Sequence, residues 1–207
     1  MKCPLEARVI DVYLVDDDPD VLGSLKWMLE GLGIRAQGFD SGLAFLTKVD
    51  LARPGVVVLD VQMPEMDGMS VLECLFARPT PVVPVMLTGH GNISMAVKAI
   101  QQGALDFLEK PADGDKLLTL LKRAAAVSLE RCESLRQSAL LQSRVDSLSP
   151  RETDIMHRVL EGKLNKTIAA ELFITQRTVE IHRKNLLEKM AVNNVAELAF
   201  VLSKLRP

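Results

Sequence analysis

Five short apolar runs, separated by stretches with helical spacing, fill the first half of the chain and restrict its folding more than any other feature. The runs lie near residues 9–15, 34–39, 56–59, 85–87 and 106–108, and the helical patterns near 20–31, 42–49, 69–77, 93–102 and from 115 onward. Such alternation predicts βαβ units, hence a doubly wound α/β domain with a five-stranded parallel sheet covered on both faces. Local signals agree. Asp18-Pro19 and Asn92 stand at N-cap positions, and Gly31, Gly33 and Gly103 stand where helices should stop.

With 207 residues the chain has room for a second domain. Between Asp115 and Ser149 there is no glycine or proline, so the last helix of the first domain is expected to run past Ala126 as a helical linker. Its apolar positions do not keep a clean heptad, which argues against a coiled coil. Ser149-Pro150-Arg151-Glu152 then reads as a capping box with proline at the first helical position. Beyond it the pattern is helical throughout, near 150–161, 166–172, 176–190 and 195–205, with Asn165, Thr175 and Asn194 as expected N-caps. The expected division is a first domain over 1–125, a linker over 126–148 and a small all-α domain over 149–207.

Charge differs between these parts. Residues 1–125 hold 12 basic against 17 acidic side chains, residues 126–148 three of each, and residues 149–207 ten against seven. An acidic front and a basic back point to different partners. No run is long enough for a membrane span, and the stretch through Arg8 lacks the apolar core of a signal peptide, so a cytoplasmic protein is expected. Cys3, Cys74 and Cys132 are odd in number and show no C-x-x-C spacing, which indicates neither a disulfide framework nor a zinc site.

Asp16-Asp17-Asp18 follow the first strand, Asp60 ends the run Val56-Val57-Val58-Leu59, Thr88 ends the fourth strand and Lys110 follows the fifth. In a doubly wound sheet the carboxyl ends of the strands form the ligand crevice, so these residues should converge. Gathered carboxylates repel unless a cation neutralises them, and hard oxygen ligands with open water positions suit Mg²⁺. An aspartate in such a place can accept a phosphoryl group, with a lysine neutralising its oxygens. Taken singly, any of these residues could be a helix cap or a surface charge; four coincident strand ends are harder to explain that way.

The runs V-D-D-D after the first strand, V-L-D-V-Q-M-P-E-M-D-G around Asp60, L-T-G-H-G at Thr88 and F-L-E-K-P-A at Lys110 resemble the receiver domain of two-component response regulators, over roughly residues 8–123. The resemblance implies that Asp60 is phosphorylated by a sensor histidine kinase. It further implies that Asp16, Asp17 and Asp60 hold Mg²⁺ with the backbone carbonyl of Gln62, that Thr88 and Lys110 contact the phosphoryl group, and that the Lys110-Pro111 bond is cis. Thr88 and Phe107 fall at the switch positions, with phenylalanine where many receivers have tyrosine. His90 and Gln62 fall where such domains tune phosphoryl lifetime.

In the last domain, Asn165 to Ala169 begins a short helix, Phe173-Ile174-Thr175 makes a turn, and Arg177 to Lys184 begins the next helix. That second helix sets an apolar stripe (Val179, Leu186, Met190) against a basic face, as a reader of the DNA major groove requires. The runs L-S-P-R-E, N-K-T-I-A-A-E-L and T-V-E-I-H-R-K-N-L-L-E-K-M resemble the LuxR-type helix-turn-helix, over about residues 148–205, and with this receiver the FixJ group of regulators. By that resemblance Glu180, Ile181 and Lys184 face base edges, while Lys166, Arg177, Thr178, His182 and Arg183 contact phosphates, His182 having an equal claim as a packing residue. A regulator of double-stranded DNA rather than an enzyme is expected, a homodimer when phosphorylated, with RNA polymerase as a further partner. The apolar last helix is a candidate dimer face.

A haloacid-dehalogenase-like phosphatase also uses a strand-end aspartate, but it leaves the back half unexplained and lacks a second carboxylate two residues after Asp60. The alternative that stays open is a regulator that binds DNA independently of phosphorylation through a degenerate receiver.

Overall fold

The computed structural model describes residues 10–89 and 93–205. Val9, at which the first strand is expected to begin, Cys3, His90 and the expected cap Asn92 lie outside them. Two compact units divide between Leu135 and Arg136.

The first unit is built on β1 (Asp11–Val15), β2 (Ala36–Phe39), β3 (Gly55–Asp60), β4 (Val83–Thr88) and β5 (Asp106–Glu109). All neighbours are parallel, in the order β2-β1-β3-β4-β5. Between them run α1 (Pro19–Gly31), α2 (Gly42–Lys48), α3 (Gly68–Phe76) and α4 (Ile93–Gln101), and after them comes α5 (Gly114–Asp146). Side chains that alternate along the strands feed two separate cores. Val12, Leu14, Val56, Val58, Val83, Val85 and Leu87 pack with Leu25 and Leu29 of α1 and Leu117 and Leu121 of α5. Tyr13, Val15, Val57, Leu59 and Met86 pack on the other face with Phe45 of α2, Val71, Leu72 and Leu75 of α3 and Ala99 of α4. Sheet residues buried on both faces explain why the strands read as unbroken apolar runs.

Strand four is longer than its sequence suggests, starting at Val83 rather than Val85. Pro84 is the reason, since a proline has no N–H to donate and demotes a central strand in any pattern reading. Its carbonyl still accepts from Leu105 N at 2.8 Å, so the ladder to the β5 side begins there. Helix α5 starts one residue earlier than expected, with Asp113 Oδ1 accepting from the backbone N–H groups of Asp115 and Lys116. It continues unbroken to Asp146, two residues short of the end of the expected linker.

In the second unit the end of α5 is joined by α6 (Pro150–Leu160), α7 (Asn165–Leu172), α8 (Gln176–Met190) and α9 (Val195–Ser203). Both bonds of the capping box at Ser149 and Glu152 are formed. Thr175 and Asn194 cap α8 and α9 through their side chains. Asn165 does not cap α7: it is the first helical residue, and Leu164 occupies the N-cap without a side-chain bond. The last helix ends at Ser203 rather than Leu205. Leu141, with Val145 and Leu148, packs against Leu186, Met190, Val192 and Leu198, so the last turns of α5 are part of this unit's core. A second cluster joins Ile155 and Val159 of α6, Ile168, Ala169 and Leu172 of α7 and Val179 of α8.

Candidate functional site

The carboxyl edge of the sheet gathers the residues singled out in the first unit. Asp16 directly follows β1, Asp60 ends β3, Thr88 ends β4 and Lys110 directly follows β5. Asp16, Asp60 and Thr88 are buried, Asp17 and Gln62 exposed, and Lys110 half-buried. One carboxylate oxygen from each of Asp16, Asp17 and Asp60 lies within 4.8 Å of the others. Into this group projects the Lys110 ammonium, 2.6 Å from Asp16 Oδ2 and 3.2 Å from Asp60 Oδ1. The Lys110-Pro111 bond is cis, and Lys110 N donates to Thr88 O at 2.8 Å.

Burial raises the Asp60 carboxyl above its usual range; the Asp16 charge adds to the rise and Lys110 opposes it. Burial disfavours the Lys110 charge too, yet bonds to Asp16 and attraction from Asp60 hold that ammonium above its ordinary value. The pair of acids and the single base thus share one desolvated pocket. Three hard oxygen donors against one lysine leave excess negative charge, a donor set that fits a small divalent cation.

The loop after Asp60 is folded back tightly. Gly68 N donates to Val61 O at 2.9 Å, and a β-carbon at Gly68 would stand 2.2 Å from the Asp60 carbonyl oxygen. Only glycine lets α3 start so close to the strand end. Thr88 is fully buried, and Phe107, opposite Met86 in the ladder, is half-buried against the second core.

In the second unit α7, the turn and α8 form a helix-turn-helix. Phe173 ends α7 in the left-handed conformation, at φ 54°. Val179, Leu186 and Met190 point inward, all buried. Lys166, Arg177, Glu180, Ile181 and Lys184 are exposed, whereas Thr178, His182 and Arg183 are half-buried. Two of the exposed cations sit beside acids of their own helix, Arg177 at 3.3 Å from Glu180 and Lys184 at 3.7 Å from Glu188. Arg183 is engaged within the fold, its Nη1 donating to Asn165 Oδ1 at 2.8 Å. Sequence patterning placed Arg183 on the basic face and Asn165 at a cap, and nothing local marks them as partners.

A doubly wound receiver with an acidic pocket, followed by a helix-turn-helix, defines a DNA-binding response regulator. The response regulator receiver domain family matches residues 12–122, and the family of bacterial regulatory proteins of the luxR type matches residues 146–202. The response regulator protein TmoT of Ectopseudomonas mendocina is 39% identical over 195 residues, covering 94% of this chain and 89% of that protein. The transcriptional regulatory protein FixJ of Bradyrhizobium diazoefficiens is 37% identical over 187 residues, covering 90% and 91%. Among solved structures, the response regulator StyR superposes with a TM-score of 0.78 at 34% identity, over 94% of this chain and 98% of that one. Full-length FixJ from B. japonicum gives 0.56 at 35% identity, over 95% and 97%. The chain belongs to the response regulators that join a receiver domain to a luxR-family DNA-binding domain, a family of transcriptional regulators of two-component systems. Among the described residues, no helix is long and apolar enough to cross a membrane.

Proposed function

We propose that Asp60 is the phospho-acceptor through which a sensor histidine kinase controls DNA binding by this chain. The observation that carries the reading is the convergence of Asp16, Asp17 and Asp60, with the Lys110 ammonium against Asp16 and Asp60. In the proposed transfer an Asp60 carboxylate oxygen attacks the phosphorus of a phosphohistidine; the P–O bond forms, the P–N bond breaks, and the imidazole leaves with the electron pair. Lys110 neutralises the phosphoryl oxygens, and Thr88 hydrogen-bonds one of them through its hydroxyl. Mg²⁺, held by Asp16, Asp17, Asp60 and the Gln62 carbonyl, would supply further charge neutralisation there. Thr88 and the half-buried Phe107 form the switch that reads the phosphoryl group.

The functional division follows the sequence: a receiver over 1–125, a linker over 126–148 and a DNA-binding domain over 149–207. Glu180, Ile181 and Lys184, exposed on α8, read base edges, while Lys166, Arg177, Thr178 and His182 contact phosphates. Phosphorylation promotes a homodimer that places two copies of α8 on related half-sites and engages RNA polymerase, in the cytoplasm.

Treatment with a small-molecule phosphodonor and Mg²⁺, followed by intact mass measurement, tests the chemistry. One added phosphoryl group is expected, absent in Asp60→Asn and strongly reduced by Asp17→Asn or EDTA. Undiminished labelling of Asp60→Asn at another residue refutes the assignment.

A further inference from the structure

Asn165 stands at the open end of α7, and Arg183 stands midway along α8, opposite it. Asn165 is the first residue of α7, so the whole eight-residue helix separates it from the turn, a span of about 12 Å at 1.5 Å per residue. Arg183 lies two turns into α8, about 11 Å from the same turn. It follows Val179 by four residues and so falls on the stripe that packs against α7. Apolar contact among Ile168, Ala169, Leu172 and Val179 joins α7 to the first half of α8, and the 2.8 Å bond from Arg183 Nη1 to Asn165 Oδ1 ties α8 to the start of α7. Ile155 and Val159 of α6 pack into the same seam, but apolar packing is not directional, and the bond adds a contact of fixed geometry between the start of α7 and the middle of α8.

Both side chains are diverted from their ordinary uses. The Asn165 oxygen serves no cap, although α7 has no side-chain cap of its own. Arg183 is half-buried while Lys166, Arg177 and Lys184 are exposed. We propose that Arg183 is a positioning residue, clasping Asn165 to set the angle at which α8 presents Glu180, Ile181 and Lys184, and that it is not a phosphate contact. This assignment rests on the DNA-binding reading above. A clasp controls alignment and not counterion release, so its loss weakens binding without changing salt dependence.

The test uses the full chain treated with phosphodonor and Mg²⁺ and duplexes enriched by the wild type, treated likewise, from a random pool, with affinity measured by anisotropy across a salt series. Asn165→Ala and Arg183→Ala are each expected to bind the enriched duplex about three- to tenfold more weakly. The double variant should be no weaker than the weaker single, as for two ends of one bond. The slope of log affinity against log salt should stay at the wild-type value in all three, whereas Lys166→Ala should flatten it by about 0.9. The clasp is refuted by Arg183→Ala flattening the slope as Lys166→Ala does, or by additive losses in the double variant. If Arg183→Ala does not fold, Arg183→Lys keeps the charge but loses the planar fork; weakened binding by it and by Asn165→Ala supports the clasp, and wild-type affinity in both overturns it. A wild-type chain that enriches no duplex refutes the DNA-binding reading itself, while enrichment by the wild type with Asn165→Ala unaffected refutes the clasp alone.

Discussion

The backbone N–H of Gly55 donates to Ser128 Oγ at 2.9 Å across 73 residues of chain, with both residues buried. Gly55 opens β3, the strand that Asp60 closes, so this bond ties α5 to the far end of the strand carrying the proposed acceptor. Ser128→Ala leaves a buried donor unpaired and should lower stability by about 1–3 kcal/mol. Urea unfolding followed by Trp27 fluorescence measures this, with the exposed Lys122→Ala on the same helix as a control expected to stay within about 0.5 kcal/mol. Equal midpoints for the two variants would show that the bond contributes nothing.

Gly68 and Gly23 should respond in opposite directions to the same substitution. Gly68→Ala drives a methyl group into the Asp60 carbonyl and should destabilise the first unit by about 1–3 kcal/mol while reducing phosphoryl labelling. Gly23 lies inside α1, and a methyl group added there would meet nothing within 4 Å, so Gly23→Ala should stabilise by about 0.5–1 kcal/mol. Thermal melts and intact mass of the two variants decide both.

Glu152 gives the second unit a defined acid sensitivity. Burial opposes its ionisation, but bonds from Lys189 Nζ at 2.7 Å and Ser149 N at 2.8 Å overcome this and hold the carboxyl below its usual range. A depressed carboxyl stabilises the fold fully above its unfolded value, about 4.3, and loses that contribution as pH falls through the lower folded value. Glu152→Gln should therefore be less stable than wild type near neutrality, by about 1.5–3 kcal/mol, with the gap narrowing below that pH. Far-UV circular dichroism melts at several pH values report it, and a constant gap would contradict the linkage.

Lys110→Ala should impair the DNA-binding response more than labelling, since Lys110 is proposed to hold the phosphoryl oxygens in place for the switch while the accepting oxygen belongs to Asp60. Intact mass and anisotropy on the same phosphodonor-treated sample separate the two, and an unchanged response would remove Lys110 from that role.

Lys184→Ala and Arg177→Ala should differ in kind. The first, proposed to face bases, should lose about 1–3 kcal/mol on the enriched duplex and relax preference at one position. The second, proposed to face phosphate, should weaken enriched and scrambled duplexes alike and flatten the salt slope by about 0.9. Equal losses on both duplexes for Lys184→Ala would reverse its assignment.

The amino-acid sequence by itself determined what is written over a few adjacent residues. Alternating runs specified a parallel sheet because strand and helix periods are local, and Ser149 and Glu152 specified a helix start because both bonds of a capping box lie within one turn. The carboxylate pocket was legible too, since a doubly wound sheet brings every strand's carboxyl end to one edge whatever the loops do. Tertiary structure decided the partners. Lys110 meets Asp16 across 94 residues, Lys189 meets Glu152 across 37 and Arg183 meets Asn165 across 18. A long flexible side chain has many positions it can reach, and which acceptor it finds depends on how distant segments pack, a choice that no local pattern encodes. Asn165 shows the limit most plainly, because its sequence position suits a cap and only the approach of α8 turns its oxygen toward Arg183.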